Sequence, residues 1–121
     1  MTAYTWRPAQ LSDIVHMVEL SSHNYQTEFE DLFTIDLTLY AQYLTNAVVN
    51  QFYQPMTTLI SVAVAPDNSI IGFTWAHIGN RNYWSNDSLL IADMIHLNLD
   101  LSPRLRIKLI TDIFKIWDEY A

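Results

Sequence analysis

The chain has 121 residues, half of them apolar and 13% aromatic, with a net charge of −7 and no cysteine. That is enough apolar material for one compact core without staples, and it leaves no disulfide framework, thiolate metal site or cysteine nucleophile. An acidic chain with six basic side chains is a poor partner for a phosphate backbone, so general nucleic-acid binding is not expected.

No apolar run approaches the roughly 18 residues needed to span a bilayer, and the first residues lack a secretory leader's basic flank and apolar stretch. No membrane association is expected, and a cytoplasmic setting is the default. The basic side chains are unevenly placed: Arg7 and Arg81 alone serve residues 1 to 100, whereas Arg104, Arg106, Lys108 and Lys115 crowd the last 21. A small basic spot on an acidic protein suits a compact anion better than a polymer; solvated helix charge is the competing explanation.

Tyr4 to Arg7 is aromatic and β-prone, and Pro8 ends it. Ser12 is a plausible N-cap, with Asp13 in the first turn, for a helix whose apolar positions Ile14, Met17 and Val18 recur at helical spacing and which should fade near Ser21-Ser22. His23 to Ile35, with Glu28, Glu30 and Asp31, has no clean period and reads as a loop with at most one helical turn. Asp36 can cap a second helix, in which Tyr40, Tyr43-Leu44, Ala47-Val48 and Gln51-Phe52 follow the 3.6 period until Pro55.

Thr58 to Ala65 and Ile70 to His77 read as the two strands of an antiparallel hairpin, joined by the turn residues Pro66-Asp67-Asn68-Ser69. Gly72, inside the second strand, marks a bulge or a close backbone approach. Gly79 to Ser88 is a polar loop carrying Arg81, Tyr83 and Trp84, which face either a ligand or their own domain.

Leu89 to Leu101 then reads as a long strand. Its odd positions Leu89, Ile91, Ile95, Leu97, Leu99 and Leu101 are apolar, with the single carboxylate Asp93 among them; its even positions turn polar as His96, Asn98 and Asp100. A carboxylate embedded in an aliphatic face needs a partner or a proton. Ser102-Pro103 starts a last helix with the stripe Leu105, Leu109, Ile113, Ile116-Trp117 and Tyr120. A helix entered directly from a strand presents unpaired amide protons to an anion.

With glycine only at Gly72 and Gly79, no P-loop, dinucleotide fingerprint or Gly-x-Ser-x-Gly elbow can be written. His16, His23, His77 and His96 show no metal-ligand spacing, although His77 and His96 could meet across neighbouring strands. No internal repeat or linker is visible, so residues 1–121 are expected to form a single domain.

Two stretches carry a resemblance. Arg7-Pro8-Ala9 followed by Asp13-Ile14, and Leu99-Asp100-Leu101-Ser102-Pro103-Arg104-Leu105-Arg106-Ile107-Lys108-Leu109-Ile110-Thr111, resemble the first strand and helix start, and the fourth strand and pyrophosphate loop, of the GCN5-related N-acetyltransferase family. Ile71-Gly72-Phe73 looks like the apolar-Gly-apolar step of that family's hairpin.

The resemblance implies an α+β fold with a mixed, mainly antiparallel sheet flanked by helices, in the order β-α-α-β-β-β-α. It corresponds to the N-terminal two-thirds of the family fold, with the C-terminal part absent. It implies acetyl-CoA as co-substrate and an amine acceptor, small molecule or protein. Asp93 is implied as general base, with His96 as second candidate. Leu99, Leu101, Arg106, Lys108, Leu109, Ile110 and Thr111 are implied as the cofactor-binding stretch.

Arg106 fits the first position of the family's Arg/Gln-x-x-Gly-x-Gly/Ala pattern, while Leu109 and Thr111 stand where glycine is usual. A second reading follows: a catalytically inactive domain of the same fold that serves as a structural or interaction module within a larger assembly such as a phage particle. An edge strand as apolar as Leu89 to Leu101 should be covered, by a second copy or by a completing partner. An unrelated small α+β domain is the third reading.

Overall fold

A computed structural model describes residues 4–28, 36–79 and 89–120, with the side chains of residues 26–28 left out. The expected loop segments Phe29 to Ile35 and Asn80 to Ser88, including Arg81, Tyr83 and Trp84, lie outside the described residues.

The elements run β1 (Thr5–Pro8), a 3-10 turn (Leu11–Asp13), α1 (Ile14–Glu28), α2 (Leu37–Tyr53), β2 (Thr58–Val64), β3 (Ile70–Gly79), β4 (Leu89–Leu97) and α3 (Pro103–Tyr120). The strands form one four-stranded antiparallel sheet in the order β1-β2-β3-β4. α1 and α2 cover one face, where Met17, Leu44 and Val48 meet Ile60, Val62 and Phe73. α3 covers the other, where Leu109 and Ile113 meet Ala63, Ile71 and Leu97. With both faces covered, β2 is buried over its last five residues, which are apolar except for Ser61.

The first helix differs from its expected limits at both ends. Ser12 does not cap it: Ser12 lies within the 3-10 turn that leads into the helix, where the Asp13 carboxylate accepts from the Gln10 amide at 2.8 Å. Nor does it fade at Ser21-Ser22, because Ser21 and Asn24 continue its buried stripe. Short polar side chains read from sequence as helix breakers are here inward positions with partners. Asp36 does cap α2, accepting from the Leu39 amide at 3.0 Å.

The hairpin is as expected, turned at Asn68 with φ 68° and an Asp67 carboxylate that accepts from Ser69. A bulge falls beside Gly72: the register passes from Ala63 opposite Gly72 to Val64 opposite Ile70. A Cβ on Gly72 would lie 2.9 Å from Leu97 Cδ2 and 3.2 Å from the His96 carbonyl oxygen, and the carbonyl belongs to a paired strand that cannot give way. Gly72→Ala should therefore lower the unfolding free energy by about 2 kcal/mol in a urea titration.

Candidate functional site

β4 stops at Leu97, four residues short of the expected Leu101. Asn98 ends it with an Asx turn, its Oδ1 accepting from the Asp100 amide at 2.9 Å while its carbonyl accepts from Leu101 at 3.2 Å. Leu99 and Leu101 thus lie in a turn, with Leu101 packed beneath α3.

Within β4 the period of two breaks once. Trp75 faces Met94 and Ala76 faces Ala92, so Asp93 is an extra residue in a β-bulge. The register puts Ile91 on the side of His77, with the two helices α1 and α2, whereas Ile95 and Leu97 pack toward α3. The odd positions therefore do not share one face, and Asp93 is no carboxylate embedded in aliphatics. It is an exposed residue whose Oδ2 stands 2.7 Å from His77 Nδ1. A carboxylate so placed accepts the Nδ1 proton, which leaves Nε2 of a neutral His77 as a proton acceptor.

His96 does not meet His77. Its ring lies against Phe73, with centroids 5.3 Å apart, and its Nδ1 is 3.2 Å from the amide nitrogen of Asn24, which also donates to the Leu97 carbonyl at 3.0 Å. Because that amide donates to both, Nδ1 is the acceptor and the proton sits on Nε2. Burial pushes the His96 pKa down, keeping the ring neutral. Asn24 is 3% exposed, and its Oδ1 has no partner.

Asn24→Leu should cost about 2 kcal/mol in urea unfolding, since the Leu97 carbonyl loses its side-chain donor. A histidine with a lowered folded pKa destabilises the fold as pH falls below its ordinary value near 6.5, because the unfolded chain then binds the extra proton. That part of the pH dependence should vanish in His96→Phe.

α3 occupies the expected phosphate loop. Ser102 caps it, Oγ accepting from the Leu105 amide at 3.2 Å and the carbonyl from the Arg106 amide at 3.0 Å; Pro103 has no amide proton. Leu109, Ile110 and Thr111 lie in the second and third turns, where amides bond to the residue four earlier. Their expected donation to a diphosphate is therefore blocked. Leu109 is fully buried in the core beneath α3, and Ile110 packs beside it.

Arg106 and Lys108 do not converge either. Residues two apart on a helix point in different directions. Lys108 Nζ lies 5.0 Å from the centroid of Tyr4, whereas Arg106 is half-buried, with a buried Nε that has no partner. At this turn the amides of Leu109 to Thr111 are thus intrahelical, and Arg106 and Lys108 point apart.

Two clefts lie away from the start of α3. One of about 840 Å³ is lined by Val49, Phe52, Tyr53 and Leu59, and three of its polar side chains have protein partners: Arg7 bonds Asp13, Gln51 bonds the Ile60 amide and Tyr120 bonds the Pro55 carbonyl. The other, of about 480 Å³, lies between α2 and the β4 bulge and contains the His77–Asp93 pair. Sequence reading missed His77 and Asn24 as site residues: the bulge is invisible to periodicity, and Asn24 fell in an expected loop.

No protein-family model and no curated protein matches the sequence. Solved structures do. The PaiA N-acetyltransferase of Thermoplasma acidophilum, solved with coenzyme A, superposes with a TM-score of 0.67 at 16% identity, over 97% of this chain and 73% of that one. A possible acetyltransferase of Clostridium difficile 630 gives 0.64 at 11% identity, over 93% and 68%. A Trypanosoma brucei acetyltransferase gives 0.59 at 15%, over 98% and 77%.

The fold is that of the GCN5-related N-acetyltransferases. At these identities the likeness speaks for the acetyltransferase-like architecture. Among the described residues no helix is long and apolar enough to cross a membrane.

Proposed function

We propose that this GCN5-related N-acetyltransferase fold has given up the family's way of holding acetyl-CoA and works as an interaction module. The observation that carries the reading is the start of α3 at Pro103, which makes a regular helix of the stretch where an open phosphate loop is expected. A buried leucine and intrahelical amides cannot wrap a diphosphate without unfolding two turns.

The surface offered is the outer edge of β4. This nine-residue strand pairs with β3 alone among the described residues, and outside the bulge at Asp93 it carries no charged residue or proline to discourage a further strand. A strand from a completing partner or a second copy would satisfy its backbone and shelter Leu89, which is 45% exposed.

Isothermal titration with acetyl-CoA tests this: no saturable heat is expected. Micromolar binding that Arg106→Ala abolishes would overturn it.

A second reading, acetyl-CoA-dependent transfer to an amine, is favoured by the His77–Asp93 pair. Asp93 would orient His77, and Nε2 would take the proton from an ammonium. Thiol release from acetyl-CoA in the presence of amines, lost in His77→Gln, would support it.

A further inference from the structure

We propose that the cleft between α2 and the β4 bulge binds a neutral, hydroxylated ligand, a sugar ring. The inference is independent of whether the chain handles acetyl-CoA, since it rests on the cleft's own side chains.

Charge is the first consideration. Among the described residues no lysine or arginine lines the cleft, and its carboxylate, Asp93, is engaged by His77. A phosphate or carboxylate would meet an unfavourable field there, and an ammonium would compete with an existing partner for the single anion.

The hydrogen-bonding inventory is the second. Asn46 and Asn50, both exposed on α2, line the cleft beside Tyr43, and none of the three side chains bonds another of the described residues. Each amide both donates and accepts, the phenol does the same, and His77 Nε2 accepts when the ring is neutral. A mixed donor and acceptor set is matched by hydroxyl groups, which themselves do both; an aliphatic ligand would leave it unpaired.

Shape is the third. Trp75 is half-buried, packed against the core on the α1–α2 face, and lines the cleft. It gives a flat apolar surface against which the C–H face of a pyranose can lie. The volume of about 480 Å³ falls within the range of small-molecule sites. The bulge is what assembles this set, because in a regular ladder Asp93 and Met94 would point to opposite faces.

The test is a two-dimensional ¹⁵N NMR titration of the whole chain with the methyl glycosides of glucose, galactose and mannose and with N-acetylglucosamine. n-Butylammonium and inorganic phosphate serve as the probes of the competing charge classes. At least one sugar should give saturable shifts of the Trp75 indole N–H and the His77 ring signals, with millimolar affinity. The double substitution Asn46→Leu with Asn50→Leu should weaken binding by about tenfold or more, the loss of roughly one well-made hydrogen bond. Both residues are exposed, so the unfolding midpoint should stay where it is, which separates lost binding from lost folding. Silence of these signals toward every sugar, shifts that persist unchanged in the double variant, or a response to n-butylammonium or phosphate alone would each overturn the proposal.

Discussion

Replacing Leu109 by glycine, the residue the acetyltransferase pattern prefers at this position, should lower the unfolding free energy by about 4 kcal/mol and leave the chain no better at binding acetyl-CoA. Leu109 is 0% exposed and packs with Ala63, Ile71, Leu97 and Ile113, so its removal opens a cavity at the centre of the contact between α3 and the sheet. Glycine adds a helix-propensity cost of about 1 kcal/mol in the middle of an eighteen-residue helix. A domain of this size has a total stability on the order of 10 kcal/mol, so the variant should still fold, with a midpoint in urea displaced far to the left.

The direction of this result matters more than its size. Where glycine belongs to a phosphate loop, restoring it would relieve crowding; here the side chain is part of the core. A stabilised variant with new affinity for acetyl-CoA would show that the loop is latent in the chain.

The same position shows how far sequence could be read. Apolar spacing together with the caps Asp36 and Ser102 placed the second and last helices, and the run Leu105, Leu109, Ile113 already indicated an unbroken last helix, so the core under α3 was legible. The site was less so. A period of two assumes a regular ladder, and one inserted residue at Asp93 moved Leu89, Ile91 and Asp93 to the face opposite Ile95 and Leu97. The His77–Asp93 pair follows from that insertion, and nothing in the composition of β4 announces it.

Asn24 was hidden for another reason. Its polar neighbours suggested a loop, and only tertiary contact with His96 and the Leu97 carbonyl makes a buried asparagine tolerable in a helix. Likewise, the helix divides the cluster Arg104, Arg106 and Lys108: Arg104 and Lys108 stand one turn apart on one face, and Arg106 points away from both.

Asp13→Ala should cost about 3 kcal/mol at neutral pH, the second large effect expected here. Asp13 is 5% exposed, and its carboxylate accepts from Arg7 Nη1 at 2.6 Å, Arg7 Nη2 at 2.9 Å and the Gln10 amide at 2.8 Å. These bonds tie the end of β1 to the start of the first helix, which gives a physical reason for the Arg-Pro-Ala opening followed by an aspartate. Burial alone would raise the Asp13 pKa, but the hydrogen bonds from Arg7 and Gln10, with the Arg7 charge, bring it below the usual carboxylate value.

A carboxylate with a depressed folded pKa stabilises the protein fully above its unfolded pKa of about 3.9, and that contribution fades as pH falls through the lower, folded value. The stability gap between the wild-type chain and Asp13→Asn should therefore be constant from neutral pH down to about 4 and narrow below it. Arg7→Leu should be destabilising in the same range, since it leaves the carboxylate buried without its counter-ion. The double variant Arg7→Leu with Asp13→Leu should be more stable than the sum of the two losses predicts, because no charge is then stranded. Strict additivity would mean that the pair is an ornament of the surface, and that β1 is held by its ladder to β2 and by the contacts of Tyr4 and Trp6 with Asp112 alone.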